Sequence, residues 1–249
     1  MATRIYRTEK DFRKDNPALI LMQPGRLRAP KTMSLNGDRL AWDRLSEDRT
    51  PLPSKDLLED FWQLSHTGKP ADYLRFARRW GPLGLCEDHG KPCTHASDCH
   101  PRETKYIYSE PLSGWQDYAK KFEAAVWVAY KNTEKEKCTP EEWHLVGGSG
   151  DAWHVSAQAL KLAETVNTWL RDGDVRPQVK LEGKPLPYIQ AGLGGYPLFG
   201  TLTWLLAEYI FSDRKLAFCY GCLRPFHPGK KTPKKGQKSW CPRCKEDGT

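Results

Sequence analysis

The chain has 249 residues, 39% of them hydrophobic, with ten Trp, ten Tyr and eight Phe. That is enough apolar surface for a packed core of one or two domains, and it excludes a disordered chain despite 28% charged residues. The net charge of +8 arises in the last 36 residues, which hold ten Lys and Arg against two acids, while residues 1–213 balance at 29 against 29. The basic field is local, which excludes a uniformly basic surface and points to a polyanion-binding C-terminus.

Met1–Lys10 has no apolar core, so no secretory leader is expected. Eight cysteines then fit thiolate–metal chemistry in a reducing cytoplasm better than a disulfide framework. Residues 1–50 read as a β-rich portion. Ala18–Met22 is a short apolar run expected to form a strand, followed by a turn at Pro24-Gly25. Asn36-Gly37, between Thr32–Leu35 and Arg39–Trp42, is expected to turn a two-residue hairpin, because the pair tolerates positive φ. Pro51–Ser54 breaks the chain, and Ser54 is placed to cap a helix over 55–66. A second helix spans about 70–80, with Pro70 near its start. Leu74, Phe76 and Ala77 point inward there, and Arg75, Arg78 and Arg79 outward.

Between Cys86 and His100 stand three Cys and three His. Cys86-x-x-His89 has the spacing of a metal knuckle, and Cys86, His89, Cys93 and Cys99 form the preferred set for a second zinc. The alternative is a polar loop whose Cys86 is buried at a helix end. Gly114–Asn132 is amphipathic, with Trp115, Tyr118, Phe122, Ala125, Val126 and Ala129 on one face and Lys120, Lys121 and Glu123 opposite. A charged link, Thr133–Lys137, follows; Cys138 reads as an ordinary thiol. Gly147–Gly150 is a flexible loop without the Gly-Lys-Ser/Thr ending of a phosphate site.

Asp151–Arg171 forms the next helix, with Asp151 as N-cap, Gly173 at C′, and Val155, Ala159, Leu162, Val166 and Trp169 on one face. His154 reads as structural. An extended piece, Pro177–Leu181, turns at Glu182–Lys184. Pro185–Ala207 carries no charge, but its prolines and glycines make it a buried helix rather than a membrane span. Gly192–Pro197 lacks the final glycine of a dinucleotide fingerprint, so its glycines turn the chain and Pro197 starts a helix over 197–212. That helix is apolar nearly all round, hence central.

Cys219-Tyr-Gly-Cys222 and Cys241-Pro-Arg-Cys244, separated by eighteen residues, have the spacing of a four-thiolate structural zinc site. A thioredoxin-like redox pair or a disulfide framework would be the alternatives. Arg224, Lys230, Lys231, Lys234, Lys235 and Lys238 are expected to meet phosphates, with Trp240 or Phe226 stacking on bases. The bland alternative is a solvated loop.

The phrase Leu216-Ala-Phe-Cys-Tyr-Gly-Cys-Leu-Arg-Pro-Phe226, its feeding helix, and Gln237-Lys-Ser-Trp-Cys-Pro-Arg-Cys244 resemble the C-terminal finger of bacterial CGNR-type zinc finger proteins. Together with Arg78-Arg-Trp-Gly-Pro-Leu-Gly-Leu-Cys86 they also resemble a broader set of uncharacterised bacterial proteins. Both pairs here are Cys-x-x-Cys, and the second lacks Cys-Gly-Asn-Arg itself. The resemblance covers about residues 196–245 and implies a zinc-binding, DNA-binding bacterial protein.

The expected fold is mainly α (α+β): a β-rich portion over 1–50, a helical body over 51–212 with a possible metal loop at 86–100, and a basic four-cysteine zinc ribbon over 213–249. The expected function is zinc-dependent binding of DNA or RNA, as a transcriptional regulator or a subunit of a CRISPR or phage-defence type nucleoprotein complex. A protein–protein scaffold docking an acidic partner is one alternative. A metal-assisted hydrolase using Glu87-Asp88-His89 is another, although no catalytic motif is present.

Overall fold

The computed structural model describes residues 28–30, 32–42, 45–49, 55–86, 90–92, 108–150, 154–173, 175–180, 188–193, 198–212, 215–228 and 237–246. The expectations placed on Ala18–Met22, Pro24-Gly25, Ser54, Asp151, Glu182–Lys184 and Pro197 lie outside these residues. In chain order the elements are β1 (Arg28–Pro30), β2 (Met33–Asn36), β3 (Arg39–Trp42), β4 (Leu45–Arg49), α1 (Lys55–Thr67), α2 (Pro70–Trp80), β5 (Tyr108–Pro111) and α3 (Leu112–Thr133). Then follow α4 (Pro140–Leu145), α5 (Val155–Asp172), β6 (Val175–Lys180), β7 (Tyr188–Leu193), α6 (Leu198–Ile210), β8 (Ala217–Phe218), β9 (Pro225–Phe226) and α7 (Pro242–Glu246). The fold is mainly helical, with small antiparallel sheets, as its sequence pattern implies.

Helix α3 is the axis of the body because its apolar stripe is broad enough to face several partners at once. Trp115, Tyr118, Phe122, Ala125, Val126 and Ala129 are all buried, and α1, α2, α4, α5 and α6 each pack on it. At its centre Phe122 stacks on Trp169 of α5, with centroids 5.3 Å apart and planes at 7°. It also meets Phe61 of α1 edge-on at 5.2 Å and Phe199 of α6 at 6.0 Å. Such aromatic pairs add about 0.5–1.5 kcal/mol each beyond burial. Among the described residues no helix is long and apolar enough to cross a membrane.

The sheet β2-β3-β5 is antiparallel and takes its third strand from the middle of the chain, directly before α3. Met33, Leu40 and Trp42 belong to the same buried cluster as the helices, so the β portion and the body share one core. In the β2–β3 hairpin Asn36 pairs with Arg39, which places Gly37 and Asp38 in the turn, one residue later than expected. Gly37 has φ +61° at the first loop position, where a type II′ turn wants glycine.

Helix α4 is an addition. Thr139 accepts from the Glu142 amide while the Glu142 carboxylate accepts from the Thr139 amide, a complete capping box with Pro140 in the first turn. The Gly147–Gly150 loop that follows is shaped by packing: a Cβ at Gly148 would lie 2.1 Å from the Trp143 ring. Helix α5 starts at Val155 with His154 in the N-cap place and no side-chain cap bond, later than the start of the expected 151–171 span. Its inward face is Gln158, Leu162, Val166 and Trp169. Tyr188–Leu193 is a strand paired with β6, so Gly192 lies in a strand rather than a turn. Helix α6 is buried through Leu198–Thr203 and Leu206, but its last turn emerges, with Phe211 beyond it 51% exposed.

Gly173 ends α5 at φ −81°, so it is not the left-handed C′ glycine expected. It is required by a close crossing: a Cβ on Gly200 of α6 would sit 2.2 Å from the Gly173 carbonyl oxygen. Gly→Ala inside a helix ordinarily gains about 1 kcal/mol. Gly200→Ala is expected to do the reverse, losing about 1–3 kcal/mol by overpacking against backbone that cannot yield. A lowered urea midpoint at unchanged slope is the expected readout.

A second internal anchor is Glu110 on β5, 1% exposed. Its carboxylate accepts from the amides of Leu83 (3.1 Å), Gly84 (2.6 Å) and Leu85 (2.9 Å) and from Trp115 Nε1 (2.7 Å). Gly84, at φ +89°, lets the chain after α2 present three consecutive amides to one side chain. Burial pushes the Glu110 carboxyl up to about 7, with these donors opposing the rise.

Candidate metal centre and nucleic-acid interface

The ribbon starts with two short strands. In the β8–β9 pair Ala217 faces Phe226 and Phe218 faces Pro225, and between them the chain folds into the first knuckle. The Cys219 amide donates to the Arg224 carbonyl (2.9 Å), and the Leu223 amide to the Cys219 carbonyl (2.9 Å). Leu223 takes φ +56°, the left-handed residue that completes the turn. The second knuckle opens on Cys241 and runs into α7, whose Lys245 amide donates to the Cys241 carbonyl (3.1 Å). Between the knuckles the Tyr220 amide donates to the Ser239 carbonyl (2.7 Å) and closes the ribbon.

This backbone brings the four Sγ atoms of Cys219, Cys222, Cys241 and Cys244 within 4.8 Å of one another. Cys222 Sγ and Cys241 Sγ are 3.8 Å apart. Tetrahedral coordination at a metal–sulfur distance of about 2.3 Å requires sulfurs about 3.8 Å apart, so the cluster can hold a metal ion. Among the described residues all four are free thiols, and their convergence on one point is the geometry of a metal site rather than of a redox pair. Three of the four are buried and Cys222 is half-buried. Burial raises the Cys219 thiol, but amides of Cys222, Cys241 and Gly221 overcome this and hold it down to about 6. Burial and the neighbouring sulfurs push Cys222 up to about 12.

The ribbon is seated on the body by aromatic contacts. Phe218 stacks on Trp127 of α3 at 3.6 Å and 5°, meets Tyr130 edge-on at 5.0 Å and lies 6.1 Å from Trp62 of α1. His227 packs on Tyr209 of α6 at 4.5 Å and donates from Nδ1 to the Lys215 carbonyl at 3.1 Å.

The residues expected to meet nucleic acid divide into two groups. Arg224 is half-buried in a crevice with Leu58, Glu59, Trp62, Val126 and Tyr209 of the body, and Phe226 packs beside the thiols. Trp240 is half-buried, and Lys238 is exposed with its Nζ 4.1 Å over the Tyr220 ring. Arg243 and Lys245 are exposed on α7. Lys230, Lys231, Lys234 and Lys235 lie outside the described residues.

Sequence reasoning passed over Tyr220. It is 55% exposed and stands 5.8 Å from Trp240 in an edge-to-face pair; the signal available was an aromatic residue inside a metal knuckle. At the expected second metal site, Cys86 is 1% exposed. Its amide donates to the Lys91 carbonyl and its carbonyl accepts from Gly90, closing a tight turn. His89, Cys93 and Cys99 lie outside the described residues, and among the described residues Cys86 belongs to no group of metal-ligating side chains.

Comparison with protein-family models, with curated proteins and with solved structures returns no match to this chain.

Proposed function

We propose that this protein is a zinc-dependent nucleic-acid-binding protein whose C-terminal ribbon grips the phosphate backbone. The observation that carries this reading is the four-thiol cluster, because it lies within a 36-residue segment of net charge +8. An all-sulfur tetrahedral set suits zinc, or iron as the competitor. With all four positions supplied by protein the site is closed, so the metal contributes folding free energy rather than reactivity. Four thiolates and Zn²⁺ carry a net −2, which leaves the segment strongly positive.

Lys230, Lys231, Lys234, Lys235 and Lys238 are assigned to phosphates, as are Arg243 and Lys245. Neutralising about five phosphates gives an expected log–log salt slope of about −4 to −5 on duplex DNA. Anisotropy titrations against random-sequence duplex from about 50 to 200 mM salt check it. A slope near zero, with a stable complex to an acidic protein instead, supports the scaffold reading and defeats this one. Metal analysis of the same preparation separates zinc from iron.

A further inference from the structure

We infer that the outer face of the ribbon is a stacking platform for an unpaired base, with Tyr220 as its ring, so that the ligand is single-stranded nucleic acid. This deepens the reading above and rests on it. Tyr220 sits between Cys219 and Cys222, and its amide is tied to Ser239, so its backbone is held by the knuckle on both sides. Its side chain nevertheless contributes little to packing: it is 55% exposed, next to Leu223 at 62%. A large aromatic ring left in water on a rigid support is preorganised for a planar ligand, since little conformational entropy is lost on contact.

The surroundings fix the charge of that ligand. Lys238 Nζ lies 4.1 Å over the ring, and Arg243 and Lys245 are exposed on the adjoining helix. A lysine on a flexible four-carbon stem can leave the ring for a phosphate when a base takes its place, so one event satisfies both groups. Trp240, edge-on to Tyr220 at 5.8 Å, buttresses the ring.

Duplex fits this face less well. Bases in a duplex offer edges rather than faces, and stacking on a protein ring needs an unstacked base. Nor do the described residues of the ribbon include a long groove-reading helix, because α7 has only five residues.

The test uses the metal-loaded 249-residue chain and labelled mixed-sequence strands of about 12 nucleotides, single and as a duplex. Tyr220→Ala is expected to weaken single-strand binding about five- to a hundredfold and to change duplex binding less than about twofold. Tyr220→Phe, which keeps the ring, is expected to stay within about threefold of wild type on both. Metal content and far-UV circular dichroism of both variants should match wild type, since the side chain is exposed. Equal loss on the two ligands, or no loss on the single strand, overturns the stacking role while leaving the nucleic-acid reading intact. A wild-type protein that binds neither strand form at low salt overturns both.

Discussion

Cys222→Ser is expected to purify without the equivalent of zinc proposed for the wild type, and to lose nucleic-acid binding. Cys222 is the informative position because it is the least buried of the four clustered thiols, so serine costs little packing and the effect isolates metal ligation. Three thiols close no site, and binding a structural zinc is worth about 10–16 kcal/mol in small zinc domains. The two-residue strands β8 and β9 and the five-residue α7 cannot replace that from their own contacts.

The body should survive. Its buried cluster draws on the ribbon segment through Leu216 and the partly buried Phe218, so far-UV helicity should hold while the affinity disappears. Retained affinity in the zinc-free variant would sink the metal-dependent model. Loss of helicity would show instead that the aromatic seat of Phe218 on Trp127 is a condition for the body itself.

What could be read beforehand is what depends on short-range spacing. The amphipathic stripe of α3 and the two Cys-x-x-Cys knuckles each announce themselves within a few turns of chain, and both stand where expected. The hairpin at Gly37 was visible too, but the strand alternation that decides between two neighbouring turn positions is too brief there to fix the register. Thr139–Glu142 did carry a local signature, the capping box, and it is short enough to pass for a link.

Long-range matches had no local signature. The Gly173–Gly200 crossing joins helices 27 positions apart. The three amides that Glu110 gathers lie 25 to 27 residues before it. The glycines within Arg78–Cys86 bend the chain around a carboxylate that arrives 25 to 27 residues after the amides it binds.

That carboxylate carries the other large effect. Glu110→Ala leaves four N–H donors without an acceptor, those of Leu83, Leu85 and Trp115 fully buried, and each orphaned buried donor costs about 1–3 kcal/mol. Relaxation and water entry reduce the sum, so the expected loss near pH 5 is about 4 kcal/mol or more. For a chain of this size that is a fall in melting temperature of about 8–16 °C.

Its pH dependence has a defined sign. The folded carboxyl titrates at about 7 against 4.5 when unfolded, so between those values the folded state holds the extra proton. Wild-type stability from this group is therefore full below pH 4.5 and declines by up to about 3 kcal/mol as pH rises to 7. Metal ligation has the opposite slope, because thiolates protonate in acid. Only the difference between wild type and Glu110→Ala isolates the carboxylate. That difference should be largest below pH 4.5, shrink toward pH 7 and then stay level. If it grows with pH instead, the four donors outweigh burial, and Glu110 is an anion locked in the core across the whole range.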